Sequence, residues 1–198
     1  MTTFHLVRHA AHGHLDRVLT GRTSEVPLTY EGRVQAAALA QRLTSAPVSA
    51  VLCSPRERAQ ETAAPIAARL SLTVGIEQDL DEIDFGEWNG TAFDALAPQP
   101  AWQAWNRLRS LAQPPDGEAM LAVQARAVGL VTRLHREHPG AEFVLVSHSD
   151  LLKAVLAYAL GAPLDFLQRI ELGPASRSVL VLSEQDVRVG AINLPPGA

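Results

Sequence analysis

The chain has 198 residues and carries 17 Lys+Arg against 21 Asp+Glu, a formal charge of −4 with histidine neutral. Its 47% hydrophobic and 19% charged residues suffice to bury the core of one ordinary domain, which excludes a disordered chain. The slight acidity excludes a broad basic surface for nucleic acid, and no apolar run is long enough to span a bilayer.

Thr3–Val7 reads as a first strand, and the charges at His5, Arg8 and His9 rule out a signal peptide. Gly32–Thr44 follows as a helix, with Val34, Ala37, Ala38 and Gln41 expected on its buried side. Ala50–Cys53 is a short apolar strand, and Cys53, the only cysteine, excludes an internal disulfide. The next helix starts with Ser54 as N-cap, Pro55 at the first helical position and Glu57 three residues after the cap, and runs to Leu70. Ala59, Ala63, Ile66 and Leu70 are its expected core face. A strand over Leu72–Ile76, a helix from Gly117-Glu118 to Glu137 and the apolar strand Phe143–Val146 come next. A helix ending at Leu160 follows directly, then an antiparallel edge hairpin of Ser178–Leu182 and Val187–Ile192, and Leu194–Ala198 reads as a frayed tail. The alternation predicts an α/β fold: a three-layer α/β/α sandwich with a mainly parallel sheet. Asp81–Pro115 breaks the alternation and holds Trp88, Trp102, Trp105, Phe85 and Phe93 with Arg107 and Arg109. It is expected as a small cap insertion within one domain spanning residues 1–198.

Ligands of open α/β sheets bind outside the carboxyl ends of the strands. There the chain places Arg8 and His9, the turn Ser54–Arg58, and His148. Two histidines beside arginines suit phosphoryl transfer through a covalent histidine, because a neutral imidazole attacks phosphorus while guanidinium groups hold its oxygens. The reaction also needs an acid for the departing oxygen, and Asp81, Glu82, Asp84 and Glu87 are all candidates. Arg56 and Arg58 lie about 200° apart on a helix, so only one of them points into a common site.

Four motifs in order, Leu6-Val7-Arg8-His9, Ser54-Pro55-Arg56-Glu57-Arg58-Ala59, Leu80-Asp81-Glu82 through Phe85-Gly86-Glu87-Trp88, and Val146-Ser147-His148, resemble those of the histidine phosphatase superfamily, which includes cofactor-dependent phosphoglycerate mutases. The resemblance implies that His9 is the phosphorylated nucleophile and that Arg8, Arg58 and His148 hold the phosphoryl group. It further implies that Glu82 is the proton donor and later the base for water, and that Thr20 and Gly21 lie beside the substrate; Ser149, directly after His148, is a further candidate for substrate binding. Only the family pattern selects Arg58 over Arg56 and Glu82 over its neighbours.

Two positions depart from the pattern. Ala10 replaces the usual glycine after the nucleophile, where its β-carbon is expected to crowd the phosphate. The asparagine usual some six residues past the nucleophile falls on Leu15 or His14, and His14 is the expected substitute.

The expected activity is that of a metal-independent phosphomonoesterase without cofactor, acting on a small phosphorylated metabolite in the cytoplasm, with homodimerisation left open. A mutase needs a tight, strongly basic lid, and the short cap offers only Arg107 and Arg109. Three alternatives stand beside it: a phosphoglycerate-mutase-type phosphotransferase, a binuclear metallohydrolase using His12, His14 and Asp16, and a non-catalytic phospho-ligand-binding protein. Arg17 follows Asp16 where such metal sites usually add a histidine, and it is a poor neighbour for a dication.

Overall fold

The computed structural model describes residues 1–197; Ala198, the last residue of the expected tail, lies outside them. In chain order the elements are β1 (Thr2–Arg8), β2 (Val18–Leu19), α1 (Tyr30–Arg42), β3 (Ala50–Cys53), α2 (Glu57–Leu70), β4 (Val74–Ile76), β5 (Thr91–Ala92), α3 (Phe93–Leu96), α4 (Pro100–Arg107), α5 (Met120–Glu137), β6 (Glu142–Ser147), α6 (Ser149–Ala159), β7 (Arg177–Leu182) and β8 (Val187–Leu194). The main sheet runs β4-β3-β6-β1-β7-β8. Its first four strands are parallel, and β7 and β8 close the edge antiparallel. β2 and β5 form a separate two-stranded ribbon. Leu194, expected in the tail, ends β8 opposite Arg177.

Strand alternation builds two cores. Phe4 and Leu6 of β1 stand beside Phe143 and Leu145 of β6 and face α5 and α6. Val7, Val144, Val146, Val51 and Cys53 point the other way, onto α1 and α2. The three layers follow from that period of two, as the apolar strand segments imply. α2 buries Ala59, Ala63 and Ile66 as expected, whereas Leu70 is only half-buried.

The face of α1 differs from expectation. Val34 and Ala37 are exposed, and the buried positions are Gly32, Ala36, Leu39 and Ala40. A run of alanines carries no hydrophobic contrast, so the register is set elsewhere: Thr29 caps the helix through Gly32 N at 3.0 Å, and Gly32 seats against the carbonyl of Ala11. A β-carbon on Gly32 would lie 2.0 Å from that oxygen. Gly32→Ala should therefore destabilise by about 1–3 kcal/mol, against a usual helical gain of about 1 kcal/mol for this exchange. A lowered urea midpoint is the expected readout.

α2 begins at Glu57, with Arg56 at the cap position and no side-chain cap bond; Ser54, expected as the cap, is used differently, as described below. α5 begins at Met120, later than expected, because Gly117 and Glu118 form a tight approach to the Asp84–Gly86 turn. From residues 81–115, Phe85, Phe93, Trp102, Asn106 and Arg109 line one cleft with Arg8 and His9. Trp88 and Trp105 pack into the core, while Trp102 lines a cleft and meets Trp88 edge-on at 5.4 Å.

Candidate active site

A cleft of about 390 Å³ opens where β1 and β6 end, and Arg8, His9, Thr20, Gly21, Arg58 and Glu82 line it together with Ser149 at the start of α6. His9 N donates to Ser147 O at 2.8 Å and Ser54 N to Val146 O at 2.9 Å, so the residues after the strands are tied to one another by main-chain bonds. The site therefore inherits the rigidity of the sheet.

His9 is buried, and its Nδ1 lies 2.9 Å from the carbonyl oxygen of Ala10. A carbonyl only accepts, so Nδ1 carries the proton and Nε2 keeps a free lone pair. Burial, and then the charges of Arg58 and Arg8, hold the imidazole well below its usual pKa. The ring is neutral at physiological pH, with the lone pair of Nε2 available.

Both arginines are anchored through one nitrogen each: Arg8 Nη1 donates to Leu172 O at 2.6 Å and Arg58 Nη2 to Gly21 O at 2.7 Å. Their Nε atoms are buried without a protein partner. Leaving a buried charged donor unpaired is costly, and an anion in the cleft would remove that cost.

Arg56, on the opposite side of the helix start, forks onto Asp81, with Nε to Oδ1 and Nη2 to Oδ2 both 2.7 Å. That pair removes Arg56 and Asp81 from candidacy, which spacing alone left open. Asp84 accepts from Gly86 N and Asn89 Nδ2, each at 2.9 Å, and Glu87 is exposed. Of the four carboxylates only Glu82 lines the cleft, where burial raises its pKa to about 7 against the opposing charge of Arg58.

His148 lies fully buried behind the cleft wall, its ring 5.2 Å from that of His9. Its Nδ1 accepts from Arg58 Nη2 at 3.2 Å and lies 3.6 Å from Glu82 Oε2. Its Nε2 therefore bears the proton and donates to Ser54 Oγ at 2.7 Å. Ser54 in turn lies 3.4 Å from Asp81 Oδ1, so the serine expected as a helix cap serves to fix the His148 tautomer.

Several expectations change. His14 is exposed and lines a different surface recess, with Arg17 and Asp94; the turn after β1 gives the cleft His12 and Leu15 instead. His12, its ring 5.0 Å from His9, is held neutral with a pKa near 4 by burial and by Arg58 and Arg8. The Ala10 side chain is fully buried in the core under α1 and α2 and does not line the cleft, so it does not crowd a ligand there. Among the described residues no three His, Cys, Asp or Glu side chains are disposed to hold a metal ion, and His12, His14 and Asp16 do not converge.

Of the far wall the sequence pointed to Phe93, Trp102 and Arg109, and it missed Asn106, Asp150, Lys153 and Gln168. Phe93 and Trp102 give it an apolar side, and Asn106, Asp150, Lys153 and Gln168 a polar one. Arg109 is buried there, paired with Asp150 at 2.5 Å and stacked 4.6 Å from the ring centre of Trp105. Asp150 thus balances the charge of Arg109, with Lys153 Nζ a more distant 3.9 Å from the other carboxylate oxygen.

The family model of the histidine phosphatase superfamily (branch 1) matches residues 4–195. An adenosylcobalamin/alpha-ribazole phosphatase of Escherichia coli K12 is 27% identical over 191 residues, covering 95% of this chain and 94% of its own. An uncharacterized protein of Mycobacterium tuberculosis, Rv0525, is 35% identical over 166 residues, covering 81% and 79%. The solved structure of mycobacterial glucosyl-3-phosphoglycerate phosphatase Rv2419c superposes with a TM-score of 0.85 at 27% identity, covering 97% of this chain and 98% of that one.

Proposed function

The chain belongs to the histidine phosphatase superfamily, and on that premise we propose that it is a phosphomonoesterase working through a phosphohistidine at His9 on a small phosphorylated metabolite. One observation carries the reading: an imidazole anchored at Nδ1, neutral and free at Nε2, shares a cleft with two arginines whose buried Nε atoms lack partners. In the first step His9 Nε2 attacks phosphorus in line, the bond to the ester oxygen breaks, and Glu82 delivers its proton to that oxygen. In the second, water attacks phosphorus as Glu82 takes its proton, the P–N bond breaks, and phosphate leaves with His9 again neutral. Arg8 and Arg58 balance the charge on the equatorial oxygens in both steps. The incoming dianion raises the pKa of the adjacent His148, which then donates from Nδ1. Thr20, Gly21 and Ser149 border the substrate.

We read residues 1–198 as one domain in which 81–115 caps the cleft. Two features favour a phosphatase over a mutase: Arg107 is exposed and Arg109 is neutralised by Asp150, leaving the cap without the basic lid that would shield phosphohistidine from water. The relatives named as phosphatases support the same class. Among the described residues no helix is long and apolar enough to cross a membrane. A cytoplasmic setting suits a lone cysteine that is buried, its thiol pKa pushed up to about 12.

A screen of phosphorylated metabolites, scoring phosphate release and phosphoryl relocation separately, tests the activity; relocation without release would overturn the phosphatase reading. EDTA should leave turnover unchanged, and activity lost to EDTA and restored by a dication would contradict the metal-free mechanism.

A further inference from the structure

We propose that Glu118 is a positioning residue for Glu82, acting through Arg22 and Arg126. The proposal rests on the phosphohistidine reading, in which Glu82 is the acid and base. Glu82 sits on a loop, and its main-chain oxygen is gripped from two directions: Arg22, from the turn after β2, donates through Nε at 2.8 Å, and Arg126, on α5, through Nη2 at 3.2 Å. Two guanidinium groups converging on one carbonyl repel each other, and Glu118 is the anion between them. Its Oε1 accepts from Arg126 Nε at 2.9 Å, and its Oε2 accepts from Arg126 Nη2 and Arg22 Nη2, both at 3.1 Å. Arg126 Nη1 also holds Asp79 O at 2.7 Å, and Ser147 Oγ holds Leu80 O at 2.7 Å, so the whole approach to Glu82 is pinned while its carboxyl is left to the cleft. Glu118 itself does not line the cleft.

The clamp is electrostatic as well as mechanical. The charged or titratable groups around Glu82 are Arg8 from β1, Arg58 from α2, His148 and Asp150 at the end of β6 and start of α6, and Arg126 from α5, with Arg22 on its carbonyl and Asp81 accepting from its main-chain nitrogen at 2.8 Å. Four of these are permanent cations. Glu118 pairs with Arg126 and shares Arg22 with Asp81 Oδ2 at 3.4 Å and Asp84 Oδ2 at 3.6 Å, so removing its charge leaves Arg126 without its ion-pair partner and favours the ionised form of Glu82.

Glu118→Gln is the test, because the amide keeps the shape but cannot accept from both arginines through two oxygens. An alkyl phosphate needs its leaving oxygen protonated, whereas p-nitrophenyl phosphate does not, so kcat/KM should fall by about tenfold or more for the alkyl ester and much less for the aryl ester. The alkaline limb of the alkyl profile should move to lower pH by about half a unit. In Glu82→Gln, adding Glu118→Gln should cost nothing further in that ratio. If Glu118→Gln does not fold, Arg126→Lys, which keeps the charge but not the fork, is read by the same ratio. Equal losses for both esters, or an unchanged ratio, would overturn the clamp. A Glu82→Gln variant that retains full alkyl turnover would overturn the underlying mechanism instead.

Discussion

His9→Ala should lower kcat/KM for every phosphomonoester by about 1,000-fold or more, with the melting temperature largely retained. The size of the effect follows from what the imidazole supplies. Its Nε2 is held at the mouth of β1 by the Nδ1 bond to Ala10 O and the main-chain bond to Ser147, and it is neutral because burial and two guanidinium groups suppress protonation. No other group in the cleft repeats that combination: His12 is neutral too, but its Nδ1 accepts from His14 N at 3.3 Å, so it holds the turn. With His9 removed, Arg8 and Arg58 can still bind a phosphate, so inhibition by inorganic phosphate should survive the loss of turnover. A variant that keeps a tenth of the wild-type rate would remove His9 from the chemistry.

Glu82→Gln should reduce kcat/KM for alkyl phosphates by about 100-fold or more, with a smaller effect on aryl phosphates whose leaving group is already stable as an anion. The pH dependence has a definite sign. Phosphorylation of His9 requires protonated Glu82, and burial raises its pKa to about 7, so kcat/KM for an alkyl ester should fall as pH rises through about 7. The His9 limb lies well below 6.5, because protonation there is suppressed. In Glu82→Gln the alkaline limb should vanish, while any limb belonging to the substrate phosphate remains, so comparison of the two profiles isolates Glu82. An unchanged limb in the variant would assign it to another group.

The strand ends were the most legible part of this molecule. Arg8, His9, Ser54 and His148 follow short apolar segments, and parallel pairing carries them to one edge of the sheet, so sequence position implies spatial convergence. Ala59, Ala63 and Ile66 were legible for a similar reason, since isoleucine breaks the monotony of their alanines. α1 lacks that contrast, and its register depends on Gly32 meeting the Ala11 carbonyl, a contact between segments that no periodicity encodes. Ser54 carried a true helix-start signature and yet bonds His148, 94 residues away, because a hydroxyl after a strand can serve either partner. His14 and His12 were separable only by the conformation of the turn after β1. The Glu118 clamp joins Arg22 to Glu118 across 96 residues and was invisible, since the sequence placed Glu118 at an expected helix start, where an acid has a sufficient local explanation, whereas α5 begins at Met120.

The most direct test is to mix enzyme with a ³²P-labelled phosphomonoester, quench in alkaline detergent within the first turnovers and map the label. The mechanism predicts a phosphoryl group stable to base, labile to acid and carried on His9. Turnover that releases phosphate with no covalent label, or with the label on another residue, would contradict it.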